Sequence, residues 1–486
     1  MRVFVTGATG FVGRAVVLRL RRDGFEVCAW VRDEARARGQ LGAEVDLLST
    51  DAPRETLVET LARCDGVVNL AGESITAGRW NRKRKGSLVS SRVGVTKRIV
   101  DALLAAGRPR VLVSASAVGF YGDRGDERLD EDSGPGPGFL ADLCREWEAA
   151  TSPAAQGGVR VVCLRIGVVL GREGGALAKL LPPFRAGLGG ALGSGRQSVS
   201  WIHLHDLAEI VVAALSDERL RGSLNAVAPQ PVTNQEFTGA LGRALNRPTR
   251  LPVPRAIPRL VLGEGASALF DSQRVFPKRL LDVGFRFRFP ALDDSLWDLL
   301  DETHVEIGPI GKGAAVTGPR RARHLLRTAT TLKSPADAVF EFFSAPANLG
   351  VLTPPRMRFR ISRPSPMAEG TVIEYRIRVA RLDLGWRTRI ERWEPGRGFV
   401  DSQLAGPYRV WWHEHTFRAV PEGTRMDDQV SYAVPLGWLG LVANRLFVEP
   451  ELRRIFSYRR DVIRLRFGIP GEERALEGDL ASDTRT

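Results

Sequence analysis

The sequence has few cysteines, few lysines and no long apolar run, and each shortage excludes a class of protein. Four cysteines occur among 486 residues and none has CxxC spacing, so we expect neither a disulfide framework nor a zinc–thiolate site. No run of about 18 apolar residues predicts a membrane-spanning helix. The N-terminus enters a strand-like run at once, without the apolar stretch of a secretory signal. We therefore expect a cytoplasmic protein with no integral membrane segment.

The charge is strongly basic, with 70 lysines and arginines against 56 acidic residues. Only seven of the basic residues are lysines, and the excess is spread over both halves of the chain. This indicates a compositional preference for arginine rather than a basic patch, so we expect no nucleic-acid partner. The six histidines include the close pairs His203/His205 and His413/His415. Without cysteines or clustered carboxylates near them in sequence, they predict no metal site.

Strand and helix patterns alternate over residues 1–165, and the strands are nearly continuous apolar runs. This pattern is typical of βαβ units on a buried parallel sheet. It predicts an α/β fold, a Rossmann-like doubly wound parallel sheet with a small C-terminal lobe, over residues 1–302. Residues 303–320 are rich in glycine and proline and predict a linker.

The pattern changes from about residue 321. A helix pattern at 335–343 is followed by several alternating runs, which predict an antiparallel sheet, and then by a long helical pattern at 438–466 that Pro450 interrupts. We expect a separate α+β domain over 321–468 and a disordered polar tail over 469–486.

A glycine motif follows the first strand and opens the first helix. The chain must turn tightly there, and the N–H groups of the helix start can bind a dinucleotide pyrophosphate, whose approach a Cβ at Gly10 would obstruct. The motif predicts a dinucleotide site formed by Thr6, Gly7, Thr9, Gly10, Phe11, Val12 and Gly13.

This TGxxGxxG motif resembles the extended, epimerase-like branch of the short-chain dehydrogenase/reductase superfamily. Three further segments are similar to that branch: Asn69-Leu70-Ala71-Gly72 after a strand, where the turn passes under the cofactor; Ser114-Ala115-Ser116, where such enzymes carry a catalytic serine; and Gly119-Phe120-Tyr121-Gly122. The NLAGESI and SASAVGFYGDRGD runs are similar to a narrower epimerase-like family, sometimes labelled SulA-type cell-division inhibitors. The resemblance covers residues 1 to about 300, with a family-specific segment at about 250–300. It implies NAD(P) binding with further contacts at Asn69, Leu70, Ala71 and Gly72.

The second strand ends in Arg32-Asp33, which bears on the choice of cofactor. Arg32 lies 19 residues after Gly13, where an arginine can pair with a 2′-phosphate. Asp33 in the same position would instead hold the ribose 2′-OH of NAD. We favour NADP over NAD, with Arg14 as a second candidate for the phosphate.

The Tyr-x-x-x-Lys pair of this superfamily is absent. None of the five tyrosines has a lysine four places on, and alignment on Glu148 puts Leu140 and Cys144 at the two positions. Acid–base chemistry would then come from Ser116 and Tyr121 first, with Lys97, Glu73, Arg79 and Glu148 as further candidates. That Ser116 and Tyr121 are only structural remains open. We expect Arg165 to brace the sheet edge rather than bind substrate.

Residues 321–468 resemble the START-like helix-grip (SRPBCC) superfamily, which includes polyketide cyclases. The grounds are the Pro-Ala-Asp-x-Val-Phe-x-Phe-Phe helix after a strand, Gly370-Thr371 opening a run of antiparallel strands, and a long final helix. The resemblance implies a pocket for a hydrophobic ligand. The alternative is that the aromatic residues of this half simply fill its core.

Together these features predict an NADP-binding oxidoreductase or epimerase acting on a small, apolar or ring-containing molecule, fused to a hydrophobic-ligand module. The rival hypothesis is a non-catalytic NADP(H)-sensing regulator, which the missing dyad favours. A role in cell division has no support from individual residues.

Overall fold

The computed structural model describes residues 1–311, 319, 321–363, 366–379 and 382–471. Met1–Arg32 and Leu47–Leu300 form one compact unit, and Asp33–Asp46 with the described residues of 301–471 form a second. Most of the predicted tail (472–486) and part of the predicted linker (312–318 and 320) lie outside the described residues.

Seven strands of residues 1–300 form one main sheet, and the other strands pair in small sheets of two or three. In chain order they are β1 (Arg2–Thr6), β2 (Glu26–Val31), β3 (Asp46–Ser49), β4 (Gly66–Asn69), β5 (Val111–Ala117), β6 (Arg128–Leu129), β7 (Arg160–Ile166), β8 (Val168–Gly171), β9 (Gly174–Gly175), β10 (Ser198–Val199), β11 (Trp201–His203), β12 (Gly222–Ala226), β13 (Val232–Thr233) and β14 (Arg274–Val275).

The helices of the same part of the chain alternate with these strands. They are α1 (Phe11–Arg22), α2 (Glu34–Leu41), α3 (Arg54–Leu61), α4 (Arg82–Val89), α5 (Val95–Ala106), α6 (Phe139–Ala149), α7 (Ser152–Gln156), α8 (Leu177–Arg185), α9 (Leu204–Ser216), α10 (Asn234–Leu245), α11 (Ala256–Leu262), α12 (Lys278–Asp282) and α13 (Leu292–Leu300).

The main sheet has seven strands in the order β12-β7-β5-β4-β1-β2-β3. The pairings from β12 to β2 are parallel, as the sequence predicts. Val3, Phe4 and Val5 of β1 are completely buried, as expected for a central strand covered on both faces. The strand order reverses between β1 and β4, and in such sheets ligands bind beyond the carboxyl ends of the strands at that point.

Helix α1 packs against α9, and a buried ion pair joins them. The Arg19 guanidinium donates to both carboxylate oxygens of Glu209, at 2.5 and 2.9 Å. This pair fixes the helix whose N-terminus follows the glycine turn.

Among its described residues, the second unit contains an eight-stranded antiparallel sheet and three α-helices besides α2. The strands are β15 (Glu306–Pro309), β16 (His324–Leu332), β17 (Arg360–Arg363), β18 (Val372–Val379), β19 (Leu382–Glu394), β20 (Gly398–Ala405), β21 (Val410–Val420) and β22 (Gly423–Ala433), in the order β15-β16-β22-β21-β20-β19-β18-β17. The helices are α14 (Ala336–Ser344), α15 (Gly437–Ala443) and α16 (Glu449–Phe467).

The expected linker over 303–320 is wrong in part. The predicted linker contains β15, which pairs antiparallel with β16; as a sparsely buried edge strand, it lacks the apolar alternation that sequence reasoning requires. The final helical pattern is interrupted beside Pro450, as expected: a π-helical turn, Asn444–Val448, separates α15 from α16, and Pro450 lies in the first turn of α16. None of the helices in the described parts of the chain combines the length and apolarity needed to cross a membrane.

Candidate functional site

The glycine motif forms a close-packed turn between β1 and α1. Gly7 has φ +65°, and a Cβ there would lie 2.5 Å from the Leu70 carbonyl oxygen. A Cβ on Gly13 would lie 2.1 Å from the Gly7 carbonyl oxygen. Gly10 is exposed, and no side chain caps the helix that starts after it. The start of α1 therefore has no side-chain cap and lies beside an exposed residue without a Cβ, as a diphosphate-binding turn requires.

The predicted turn at 69–72 lies directly against this glycine turn, since Gly7 abuts the backbone of Leu70 and Ala71. Thr6 and Asn69 hold the two turns together. The Thr6 hydroxyl donates to Asn69 Oδ1 at 2.7 Å and accepts from the Ala71 N–H at 3.2 Å. Both side chains are buried, so their role here is to shape the site from beneath.

Three other residues at the start of α1 were predicted to contact the cofactor: one of them packs inward, and two lie half-buried beside the glycine turn. The Phe11 ring occupies the space above the β8–β9 hairpin, where a Cβ on Gly174 would lie 2.3 Å from it. Thr9 and Val12 are half-buried at the helix start, and Gly72 is exposed. Glycines in the hairpin thus allow α1 to approach closely.

The end of β2 has the features expected for a 2′-phosphate. Arg32 is exposed beyond the carboxyl end of the strand. Asp33, the alternative residue that would serve NAD, caps α2 instead, and its carboxylate accepts the Arg36 N–H at 2.9 Å. A carboxylate engaged in an N-cap is less available to a ribose hydroxyl.

Ser116 and Tyr121 belong to one buried polar group, which we call the Glu148 cluster: Ser116, Tyr121, Glu148, Arg165, Ser223 and Asn225. Ser116 donates to Glu148 Oε1 at 2.7 Å, and Ser223 donates to Oε2 at 3.1 Å. Arg165 binds both oxygens of Glu148 at 2.9 Å. The carboxylate is thus neutralised by a bidentate ion pair and is held at the end of β5.

Tyr121 lies at the other end of this cluster and is completely buried. Its hydroxyl accepts from Arg165 at 3.0 Å and lies 2.7 Å from Asn225 Oδ1 and 2.9 Å from the Asp130 carbonyl. Burial raises its pKa. A phenol held in this way braces the sheet, so the structure argues against direct contact between Tyr121 and a substrate. Arg165 joins Glu148 to Tyr121 from β7, a strand paired on both sides, which agrees with a bracing role rather than substrate contact.

At the two dyad positions themselves, helix α6 carries no proton-transfer group. Cys144 is buried, and burial raises the pKa of its thiol to about 11. Leu140 packs over Gly119, where a Cβ would meet Leu140 Cβ at 3.4 Å. Among the further candidates, Glu73 forms an ion pair with Arg84, and Lys97 and Arg79 are at the surface.

Sequence reasoning missed Ser223 and Asn225 of the Glu148 cluster. Both lie on β12, more than 100 residues beyond Ser116 in the chain, and only the sheet order brings them near β5. The sequence offered one signal for them: Ser223 and Asn225 are polar residues within a short strand whose pattern predicts burial.

A second buried polar group lies in the second unit and consists of Asp401, His413, His415 and Asp428; we call it the histidine cluster. No clustered carboxylates lie near His413 and His415 in the sequence, but the fold places two beside them. Asp401 stands opposite His413 on β20, and Asp428 stands opposite His415 on β22. Strand register produces this cluster, and sequence spacing cannot reveal it. As predicted from alternation, Glu414 points to the opposite face.

Comparison with known proteins agrees with this geometry. Residues 3–226 match a family profile described as the NAD dependent epimerase/dehydratase family, and residues 253–299 match a domain of unknown function (DUF1731). The chain is 42% identical over 299 residues to an Arabidopsis thaliana "Epimerase family protein SDR39U1 homolog, chloroplastic", covering 61% of this chain and 86% of that protein. It is 38% identical to the human epimerase family protein SDR39U1, covering 62% of this chain and 100% of that protein.

The chain belongs to the NAD dependent epimerase/dehydratase family. A crystal structure of the human SDR39U1 protein, obtained with NADPH, superimposes with a TM-score of 0.55 at 36% identity and covers 62% of this chain and 99% of that one. The resemblance of residues 1–300 to the epimerase-like branch is therefore confirmed. Within this epimerase family, the chain retains the glycine turn and lacks Tyr-x-x-x-Lys.

Proposed function

We propose that the first unit binds NADP(H), with the diphosphate at the Gly7–Gly13 turn and the 2′-phosphate at Arg32. The cradle that a Cβ on Gly10 would narrow, the uncapped start of α1 and the exposed Arg32 beside the engaged Asp33 support this proposal. The human relative solved with NADPH supports it independently. The single observation that carries it is the open glycine turn at the carboxyl edge of β1.

Replacement of Arg32 tests the choice of cofactor. We expect Arg32→Ala to weaken NADPH binding at least tenfold and to leave NADH binding unchanged, since only NADPH carries the phosphate that Arg32 would pair with. Arg36→Ala, at an exposed arginine of α2, is the matched control and should bind like the unmodified chain. Equal losses for both nucleotides would contradict the assignment of Arg32.

The second part of the proposal is that the unit catalyses oxidation or reduction of a small apolar or ring-containing substrate. When bound, NADP(H) accepts or supplies the hydride. Ser116 donates its own proton to Glu148, so its oxygen lone pairs can accept a proton from a substrate hydroxyl while Glu148 takes the serine proton. The two dyad positions hold Leu140 and Cys144, which carry no charge, and this supports an apolar rather than a charged substrate.

A panel of carbonyl compounds with NADPH tests this step. We expect turnover with at least one compound and a loss of roughly 10²–10⁴-fold in Ser116→Ala, the range for a positioned proton-transfer group. Ser87→Ala, on α4, is the control, because that hydroxyl bonds only its own helix. Equal turnover in both variants would remove Ser116 from the chemistry.

A second candidate function is a non-catalytic NADP(H) sensor. The observation that favours it is the burial of both predicted catalytic side chains, with Ser116 3% and Tyr121 0% exposed. Tight NADPH binding with no turnover on any compound of the panel would favour this function over catalysis.

For the second unit we propose a START-like, helix-grip module that binds a hydrophobic ligand. The long α16 with its buried apolar residues, among them Leu452, Phe456 and Ile463, and the antiparallel sheet support this proposal. An exposed apolar stretch, with Leu436 76%, Trp438 73% and Phe447 71% exposed, offers an apolar contact surface. One contact argues against a large pocket: Trp386 packs directly on Trp411, with ring centroids 5.5 Å apart.

Native mass spectrometry of the full chain tests the ligand proposal. A co-purifying apolar molecule, released on unfolding, would support it. A measured mass equal to the polypeptide, together with no binding of a fluorescent fatty-acid probe, would contradict it.

A further inference from the structure

The histidine cluster has the donor types of a transition-metal site, held on one face of three neighbouring strands. His413 and His415 are two residues apart on β21, so their imidazoles project to the same side of the sheet. Their ring centroids are 3.9 Å apart. His413 and His415 are 4% and 6% exposed, and Asp428 is 4% exposed. A buried group of this size needs an internal partner for every nitrogen and oxygen.

The two carboxylates face opposite edges of the imidazole pair. Asp401 Oδ2 lies 3.6 Å from His413 Nδ1 and 3.7 Å from His415 Nε2. Asp428 Oδ1 lies 3.3 Å from His413 Nε2 and 2.5 Å from His415 Nδ1. Each ring therefore presents one nitrogen to each carboxylate.

We propose that Asp401 Oδ2, His413 Nδ1 and His415 Nε2 bind a divalent transition metal of the zinc type. One ligand atom from each of these three residues lies within 4.8 Å of the others. Bonds of about 2.0–2.1 Å at tetrahedral angles require donor separations of roughly 3.3 Å, so the observed 3.6 and 3.7 Å separations need only small shifts. Three protein ligands leave a fourth position for water or a ligand oxygen.

Asp428 supplies the supporting carboxylate that such sites use. A metal-bound histidine commonly donates its other ring N–H to a carboxylate, which fixes the ring and its tautomer. Asp428 stands at the second nitrogen of both rings, and Arg459 lies 3.4 Å from its other oxygen. His415 Nδ1 lies 2.5 Å from Asp428 Oδ1, so Asp428 can hold this ring by the nitrogen that faces away from the proposed metal.

Aromatic rings enclose the cluster. Phe399 lies 4.4 Å and Phe343 5.9 Å from the His415 ring, and Phe456 lies 5.8 Å from His413, between centroids. An apolar surround restricts water and strengthens the attraction of the carboxylates for a cation. The competing explanation is a metal-free network in which a protonated imidazole sits between the two carboxylates.

Metal analysis of the tag-free full chain separates these explanations. We expect elemental analysis after dialysis to find about one zinc per chain, and we expect metal-stripped protein to regain it when titrated with Zn²⁺ alone. Asp401→Asn and His415→Gln should each weaken Zn²⁺ binding at least tenfold, and Asp428→Asn should weaken it about 10–100-fold. His324→Gln is the control, because this histidine stacks on Tyr432 outside the cluster.

Circular dichroism checks that each variant folds, and the unmodified chain supplies a second readout that needs no variant. Co²⁺ bound at the site should give ligand-field absorption that added Zn²⁺ abolishes. The proposal is overturned if metal-stripped unmodified chain takes up neither ion, or if folded Asp401→Asn and His415→Gln proteins bind Zn²⁺ as tightly as the His324→Gln control.

Discussion

The Glu148 cluster of the first unit and the histidine cluster of the second both bury carboxylates, and they differ in how that charge is balanced. In the Glu148 cluster, Arg165 binds both carboxylate oxygens, and Ser116 and Ser223 donate to them as well. In the histidine cluster, two carboxylates share two imidazoles, and Arg459 lies 3.4 Å from one oxygen of Asp428. The bidentate ion pair neutralises Glu148, whereas the histidine cluster holds the nitrogen and oxygen donor types that a transition-metal ion binds.

The largest effect should come from removing the cation of the Glu148 cluster. Arg165→Met leaves a buried carboxylate unpaired, and we expect a loss of about 3–5 kcal/mol in the free energy of unfolding. Urea unfolding of the full chain measures it. Arg124→Ala, which removes an exposed pair with Glu127, should cost less than about 1 kcal/mol. If Arg165→Met and Arg124→Ala lose similar free energies of unfolding, the buried ion pair contributes no more to stability than an exposed one.

A smaller effect is expected at the far end of the same cluster. Tyr121→Phe removes the hydroxyl between Arg165 and Asn225, and leaving these buried groups without that partner should cost about 1–3 kcal/mol in the free energy of unfolding. NADPH affinity, measured by fluorescence titration, should stay within about twofold. A large loss of NADPH affinity in a stably folded Tyr121→Phe protein would contradict this account and would indicate that Tyr121 contacts the cofactor.

Asp271 is a third buried carboxyl group to set beside the two clusters, and burial disfavours its ionised form. Burial and the neighbouring Asp123 carboxylate raise the pKa of Asp271 to about 6 from its ordinary value of 3.8. The folded state therefore favours the protonated form. This contribution to stability is present below about pH 4 and is lost as the pH rises through about 6.

We expect Asp271→Asn to stabilise the protein at pH 7 by about 1 kcal/mol, a figure reduced because the group is partly exposed to solvent. Urea unfolding at pH 4 and pH 7 measures the difference, which should shrink at pH 4. Asp282→Asn, at an exposed position of α12, should change stability at neither pH. A stability gain for Asp271→Asn that is the same at both pH values would contradict the raised pKa.

The same two clusters show what the sequence could and could not predict. The glycine turn, α1 and β5 follow from local rules, because close glycines, an apolar run and a helical period each act within about ten residues. Helix α2 was missed because its EARARGQL sequence has almost no apolar periodicity, and it relies on the Asp33 cap and on packing within the second unit.

Partners that are distant in sequence could not be predicted. Asn225 meets Tyr121 only because β12 lies beside β7 at the sheet edge. Asp401, His413 and Asp428 meet because the registers of β20, β21 and β22 align them, and a shift of one residue would turn each side chain to the other face.

Titration of NADPH into a Gly10→Ala protein tests the central claim most directly. The Gly10 backbone has φ −73°, which any residue adopts, and a Cβ there meets only the Gly7 carbonyl oxygen, at 3.0 Å. The fold should therefore tolerate the change, while the added methyl group stands where the diphosphate must approach. We predict a nearly unchanged unfolding midpoint and at least a tenfold loss of NADPH affinity, with Gly94→Ala binding like the unmodified chain. NADPH affinity in Gly10→Ala equal to that of the unmodified chain would contradict cofactor binding at this turn.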